Sequence, residues 1–234
     1  MSIVSIFFSD LVILILFIFS FKKYLLRKNT NKLLWTIGFF QAFIAVTSFL
    51  ISIYTKSYIF FYIYYFLGAG LTPALLGLGS IYLLKEGKYK VQTILLYLTI
   101  VLSILLIILF IFSSVSITNF NNLTQLIFKN IVTAQDIKIS LLGVGVIRNG
   151  NWLIPLVALN TIGTIELLYV SLYSFLKDVK NKSISKRSVG VFLIFIAVIL
   201  IAVVSSISRF YNISVVWLGF LLAWIVFFVG YILT

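Results

Sequence analysis

Seven apolar runs, each about 20 residues or longer, divide this chain, and most of its charged residues lie between them. An α-helix needs about 20 apolar residues to cross the hydrocarbon core of a bilayer. The pattern therefore predicts an all-α, polytopic membrane protein with seven transmembrane helices in a single domain, residues 1–234. The predicted spans cover residues 3–21, 33–54, 57–84, 91–115, 152–176, 188–208 and 213–234.

The composition excludes several classes of enzyme. Charged residues make up 10% of the chain, against about 25% in soluble domains, so the polar residues cannot cover a water-facing surface. Cysteine and histidine are both absent, which removes the thiolate, the usual haem and metal ligand and the usual general base. We expect no cofactor, no metal and no enzymatic activity. An enzyme would have to rely on Asp10 or Glu166.

The basic residues predict an orientation. No basic residue precedes the first span, and FKKYLLRKNTNK follows it, which is the reverse of a signal peptide. An N-terminus outside the cell and a C-terminus in the cytoplasm place 13 of the 18 Lys and Arg residues on the inner side, as the positive-inside rule requires. The net charge of +13 is thus explained by topology and lipid headgroups. The alternative is a cytoplasmic face that binds nucleic acid or an acidic protein.

The long segment 116–151 is predicted to lie outside the cell. LTQLIFKNIV spaces Leu123, Leu126, Ile127 and Ile131 as an amphipathic helix does, and DIKISLLGVGVI alternates like a strand. We expect a cap over the helix ends. A contact surface for an outer partner is the alternative.

The stretch GAGLTPALLGLG, residues 68–79, gathers small residues inside the third span. Small residues four positions apart let membrane helices approach closely, and Pro73 can kink a helix. The stretch predicts a packing seam, with a hinge or the lining of a narrow path as the alternative. This candidate packing or pore seam consists of Gly68, Ala69, Gly70, Pro73, Ala74, Gly77 and Gly79.

Two acids, Asp10 and Glu166, lie within predicted spans, where buried charge is expensive and usually marks function or internal pairing. Within the spans, no basic residue is available to neutralise them. We expect uncharged acids, at different depths, that form hydrogen bonds across helices, with Gln41, Asn160, Thr161 and Thr164 as candidate partners. A proton or cation path is the alternative.

Three resemblances bear on function. Seven spans with an outside N-terminus resemble microbial rhodopsins, but the last span, ISVVWLGFLLAWIVFFVGYILT, lacks the retinal lysine. GAGLTPALLGLGSIYLLKEGKYK and KLLWTIGFFQAF resemble helices in the seven-helix input region of some sensor histidine kinases, which implies signalling through a separate cytoplasmic partner. In size, topology and composition, the chain is similar to the membrane channel component of the crenarchaeal DNA-import (Ced) system. That resemblance implies an archaeal cell membrane, other membrane subunits, a cytoplasmic ATPase and transient contact with DNA.

We therefore expect a non-enzymatic membrane subunit of a transport or translocation assembly, which forms an oligomer or belongs to a complex. The finer form of this expectation is a channel component for DNA import. The alternative is a seven-helix sensor.

Overall fold

Helices account for nearly all of the chain that the computed structural model describes, which is residues 2–55, 57–83, 89–112, 151–207 and 213–234. No strand occurs in these ranges. The elements are α1 (Ser2–Arg27), α2 (Thr30–Thr55), α3 (Tyr58–Ile63), a π-helical segment (Tyr64–Leu71), α4 (Thr72–Ile81), α5 (Tyr89–Ile111), α6 (Leu153–Lys180), α7 (Lys186–Ile207) and α8 (Ile213–Leu233).

Seven helices in the described part of the chain are long and apolar enough to cross a membrane, when α3, the π-helical segment and α4 are counted as one span. This confirms the all-α prediction for the described residues and is what a multi-pass membrane protein requires. Helices α1 and α6 continue past their predicted ends to Arg27 and Lys180. Lysine, arginine and leucine are good helix formers, so the helices extend beyond the apolar runs. The patterns of segment 116–151 lie outside the described residues.

Six of the spans form a closed ring in the described structure. Going round the ring, α1 contacts α2, α2 contacts the third span, the third span contacts α6, α6 contacts α7, α7 contacts α8, and α8 returns to α1. Helix α5 lies outside this ring against α6 and α4. Three spans of the ring carry the candidate residues: α1 carries Asp10, the third span carries the small-residue stretch, and α6 carries Glu166. Each of these features can therefore contact a neighbouring helix.

Helix α5 turns one narrow face to the ring. Gln92, Thr99 and Leu106, spaced by seven residues, are buried, and Gln92 Nε2 donates a hydrogen bond of 3.2 Å to the carbonyl oxygen of Ile81. Large apolar side chains elsewhere on α5, such as Ile94 and Val101, are exposed. Lipid tails are as apolar as these side chains, so this surface is suited to face lipid.

Aromatic packing joins α1, α2 and α8 at the end of the ring predicted to face the cytoplasm. The rings of Trp35 and Tyr231 stack with centroids 5.4 Å apart, and Phe39 meets Phe227 edge to face at 5.7 Å. Lys23 Nζ donates a 3.0 Å hydrogen bond to the Tyr231 carbonyl oxygen and lies 4.4 Å from the Tyr231 ring centroid. A cation at the C-terminal end of α8 also complements the helix dipole.

The orientation across the membrane stays a prediction, and the absence of cysteine makes it easy to test. Ser57 lies before α3, and Ser183 lies between α6 and α7. We expect an impermeant maleimide to label Ser57→Cys on intact cells, and Ser183→Cys only after permeabilisation, because the positive-inside rule places residue 183 in the cytoplasm. The cysteine-free parent is the control. The opposite labelling pattern would show that the N-terminus is inside.

Candidate functional site

The small-residue stretch begins inside a π-helical segment. The backbone N–H of Thr72 donates to the carbonyl oxygen of Leu67, five residues back, and α4 begins at Thr72 with Pro73 in its first turn. Proline has no N–H and is well suited to the first turn of a helix. The sequence predicted that the helix can kink at Pro73. In the structure the departure from α-helical geometry lies just before this residue, in the wider π-helical turns of Tyr64–Leu71. Such turns are rare and occur frequently at functional sites.

Two glycines bring the backbones of α4 and α6 into contact. A Cβ on Gly77 would collide with the backbone of Gly163, and a Cβ on Gly163 would collide with the backbone of Pro73 and lie 2.5 Å from the Ala74 nitrogen. Only glycine fits at both positions without moving a helix. Gly77 belongs to the predicted seam. Gly163 was not singled out, although it is a lone glycine within NTIGTIE.

The other small residues of the stretch face several neighbours. A Cβ on Gly79 would collide with the Trp35 ring of α2, whereas one on Gly68 would lie 3.2 Å from Ala45 Cβ of α2. A Cβ on Gly70 would lie 3.2 Å from Leu156 Cδ1 of α6. Ala74 is buried. The stretch is thus packed against both α2 and α6.

Asp10 lies at the interface between α1 and α2. Thr47 Oγ1 donates a 2.8 Å hydrogen bond to Asp10 Oδ2. The bond crosses helices as expected, but the partner is not one of the four residues predicted for the acids. The second carboxyl oxygen, Oδ1, is buried and has no hydrogen-bond partner among the described residues.

Glu166 lies at the contact between α4 and α6, in a different interface from Asp10. Its side chain is 6% exposed, and neither carboxyl oxygen has a hydrogen-bond partner among the described residues. A Cβ on Gly77 would lie 2.8 Å from Glu166 Oε2, so the carboxyl group is held against the bare backbone of α4. Gln41, on α2, also has a buried Oε1 that finds no hydrogen-bond partner within the described ranges. Such groups are costly to bury.

A cavity of about 480 Å³ lies between α2, the third span, α6, α7 and α8. Residues from two separate sequence predictions line this cavity. Gly68, Ala69 and Pro73 belong to the predicted seam, and Asn160 is a predicted polar residue within a span. The α7 and α8 residues were not anticipated, since no sequence signal places them near the third span. The polar lining residues are Tyr64, Thr72, Asn160, Thr161, Thr164 and Ser205, and the aromatic ones on α8 are Trp217, Phe220 and Trp224.

The cavity is mainly apolar, with six polar side chains in its wall, and its described lining includes no Asp, Glu, Lys or Arg side chain. Thr164 Oγ1 donates to Asn160 Oδ1 at 3.2 Å, and the buried Oγ1 of Thr72 makes no hydrogen bond with the described residues. This arrangement can bind neutral groups by hydrogen bonding. In the described part of the chain, no three or more His, Cys, Asp or Glu side chains come together in a group that could hold a metal ion.

Comparison of the chain with protein-family models, curated proteins and solved structures found no match.

Proposed function

We propose that this protein is a non-enzymatic integral membrane subunit of a transport or translocation assembly in the cell membrane. The observation that carries the proposal is the cavity, where six polar side chains from three spans line part of an otherwise apolar wall. Polar groups within a membrane are expensive and are usually functional. A set gathered around a space large enough for a ligand supports passage or binding of a polar group.

The small-residue seam supports this proposal because it forms part of the cavity wall. The π-helical segment contributes Tyr64, Gly68 and Ala69 to the lining. Next to it, Gly163 of α6 lies against the backbone of α4 at Pro73 and at Gly77. A change from π-helical to α-helical turns would rotate these lining residues relative to α6. The cavity would then change shape without the ring of spans coming apart.

The proposal requires partners. Two described connectors on the predicted cytoplasmic side are short, residues 28–29 and 181–185, and neither has room for a nucleotide-binding domain. Energy for translocation would come from a separate cytoplasmic ATPase, with further membrane subunits packed around the exposed apolar faces.

DNA import remains a finer form of the proposal. DNA binding depends on Lys and Arg neutralising phosphates, and the described lining of the cavity has neither. A path for DNA would therefore run between subunits of an oligomer rather than through one chain.

A sensor is the alternative, and the connector between α6 and α7 favours it. Ser188 Oγ donates a 2.6 Å hydrogen bond to Asp178 Oδ2, and the Ser188 N–H is 3.3 Å from Ser185 Oγ, which caps α7. The connector and the helix ends on either side of it, KDVKNKSISKR, are basic and mostly exposed. They would pass a movement of α6 to a signalling protein.

Copurification tests both functions. We expect gentle detergent extraction of the tagged protein from its own host, followed by mass spectrometry, to recover small membrane proteins and an ATPase. We also expect deletion of the gene to abolish uptake of a substrate. The control is the same extraction from cells with the untagged protein. A recovered kinase or transducer would support the sensor instead, and a protein that emerges alone would contradict both.

A further inference from the structure

We propose that the cavity binds an uncharged, lipid-soluble ring compound with carbonyl oxygens, of the quinone class, that enters sideways from the bilayer. The inference rests on the cavity of the proposed function and names its ligand class. It does not require that the protein transport anything.

The walls of the cavity suit a flat ring. Helix α8 contributes Trp217, Phe220 and Trp224, while α2 and the π-helical segment contribute small side chains such as Ala45 and Gly68. Trp217 is fixed in place, because it stacks on Phe49 with centroids 5.2 Å apart and is buried. Aromatic side chains bind other rings by offset or edge-to-face packing, and small residues leave room for a ring to lie close to the backbone.

The polar groups of the cavity suit a carbonyl oxygen. Thr72 is 5% exposed, lines the cavity and carries a buried hydroxyl with no partner in the described structure. That hydroxyl has no acceptor among the described residues, and a rotation toward the cavity would let it donate a hydrogen bond to a ligand. The Asn160 oxygen accepts from Thr164, and the amide NH₂ group of the same side chain, which lines the cavity, can donate to a ligand. Two donors and no lining charge favour a neutral acceptor over an ion.

The side of the cavity is open where α6 passes α7. Val157 and Ile165 both line it and are 57% and 60% exposed, and Ala202 of α7 lines it and is also exposed. In a membrane these residues face lipid. A cavity of about 480 Å³ is within the usual range for small-molecule sites, about 300–1,000 Å³. The ring would occupy the cavity and any tail would extend into the bilayer.

The four tryptophans provide a direct binding test. Trp217 and Trp224 line the cavity, whereas Trp35 and Trp152 do not. We expect 2,3-dimethyl-1,4-naphthoquinone, added to nanodiscs holding the full chain, to quench the fluorescence of the Trp35→Phe/Trp152→Phe protein saturably. The Trp217→Phe/Trp224→Phe protein reports quenching by probe dissolved in the lipid and should show only a weak, linear response. Linear quenching of equal size in both proteins would overturn the proposal.

Variants of the lining test the contacts. Thr72→Val preserves the side-chain shape and removes the donor, and we expect it to weaken binding about tenfold, the loss of one buried hydrogen bond. Ala202→Phe should block the opening, whereas Val203→Phe, on the exposed neighbour outside the lining, should leave binding unchanged. Equal binding by all three variants would contradict the site.

Two further outcomes separate this inference from the proposed function. Displacement of the probe by diacylglycerol but not by a second quinone would show that the site holds an acyl chain, which overturns the ring class. Saturable quenching in a protein that copurifies with no partner would support the ligand site and contradict the transport assembly.

Discussion

Gly77→Ala is expected to destabilise the protein by about 3 kcal/mol or more, at the upper end of the cost of overpacking a core. The added methyl group would collide with the Gly163 backbone and lie 2.8 Å from Glu166 Oε2. A backbone cannot move aside as a flexible side chain can, so α4 and α6 would have to separate. The measurement is the thermal midpoint in detergent, read by size-exclusion chromatography after heating.

Gly70→Ala is the matched control, because it makes the same change seven residues earlier in the same stretch. Its methyl group would lie 3.2 Å from Leu156 Cδ1 and 3.5 Å from Leu106 Cδ2, which are the ends of flexible side chains. We expect its midpoint to stay close to that of the parent. Equal midpoints for Gly77→Ala and Gly70→Ala would mean that α4 and α6 are not in backbone contact.

Glu166→Gln is expected to abolish any proton-coupled or cation-coupled transport while leaving the protein folded. The two side chains have the same shape, and the carboxyl group makes no hydrogen bond with the described residues that an amide would lose. The free energy of unfolding should therefore change by less than about 1 kcal/mol, because a neutral amide costs no more to bury than a carboxyl group. The measurement is uptake in cells alongside the thermal midpoint.

Two variants bracket this result. Glu166→Met removes the unpaired polar group altogether and should stabilise the fold by about 1–3 kcal/mol, the cost of burying such a group without a partner. Asp10→Asn keeps an oxygen for the Thr47 hydroxyl, which now donates to Asp10 Oδ2, and should leave uptake unchanged. Unchanged uptake by Glu166→Gln would rule out a proton or cation path through this residue.

Glu166 buries a carboxyl group that has no partner in the described structure, at the backbone contact between α4 and α6. Replacing such a group with an apolar one commonly stabilises a protein. A chain that keeps it at that position gives up stability there, and proteins usually do so at functional sites. Glu166 and the cavity lie on different faces of α6, so the two can be tested independently.

The helices themselves were predictable, because the cost of unpaired backbone groups in lipid forces each long apolar run to become a helix. The boundaries were missed where Lys and Arg continue a helix beyond its apolar run, as at Lys22 and Lys177, because these residues are good helix formers although they are not apolar. The sequence GAGLTPALLGLG also predicted close packing, because small residues at this spacing let neighbouring helices approach one another. The sequence did not predict the partner, because nothing in NTIGTIE marks Gly163 as the residue that meets Gly77.

The sequence by itself determined seven apolar helices, the small residues that let one of them pack closely, and the positions of two acids within apolar runs. These follow from local composition and from spacing along a single helix. Only the tertiary structure decided that Asp10 has Thr47 as a partner while Glu166 has none among the described residues, and that Asn160, Thr72 and Trp217 line one cavity. Contacts between helices depend on which helix faces meet. The local pattern of one helix shows which of its faces is small or polar, but not which face of a distant helix packs against it.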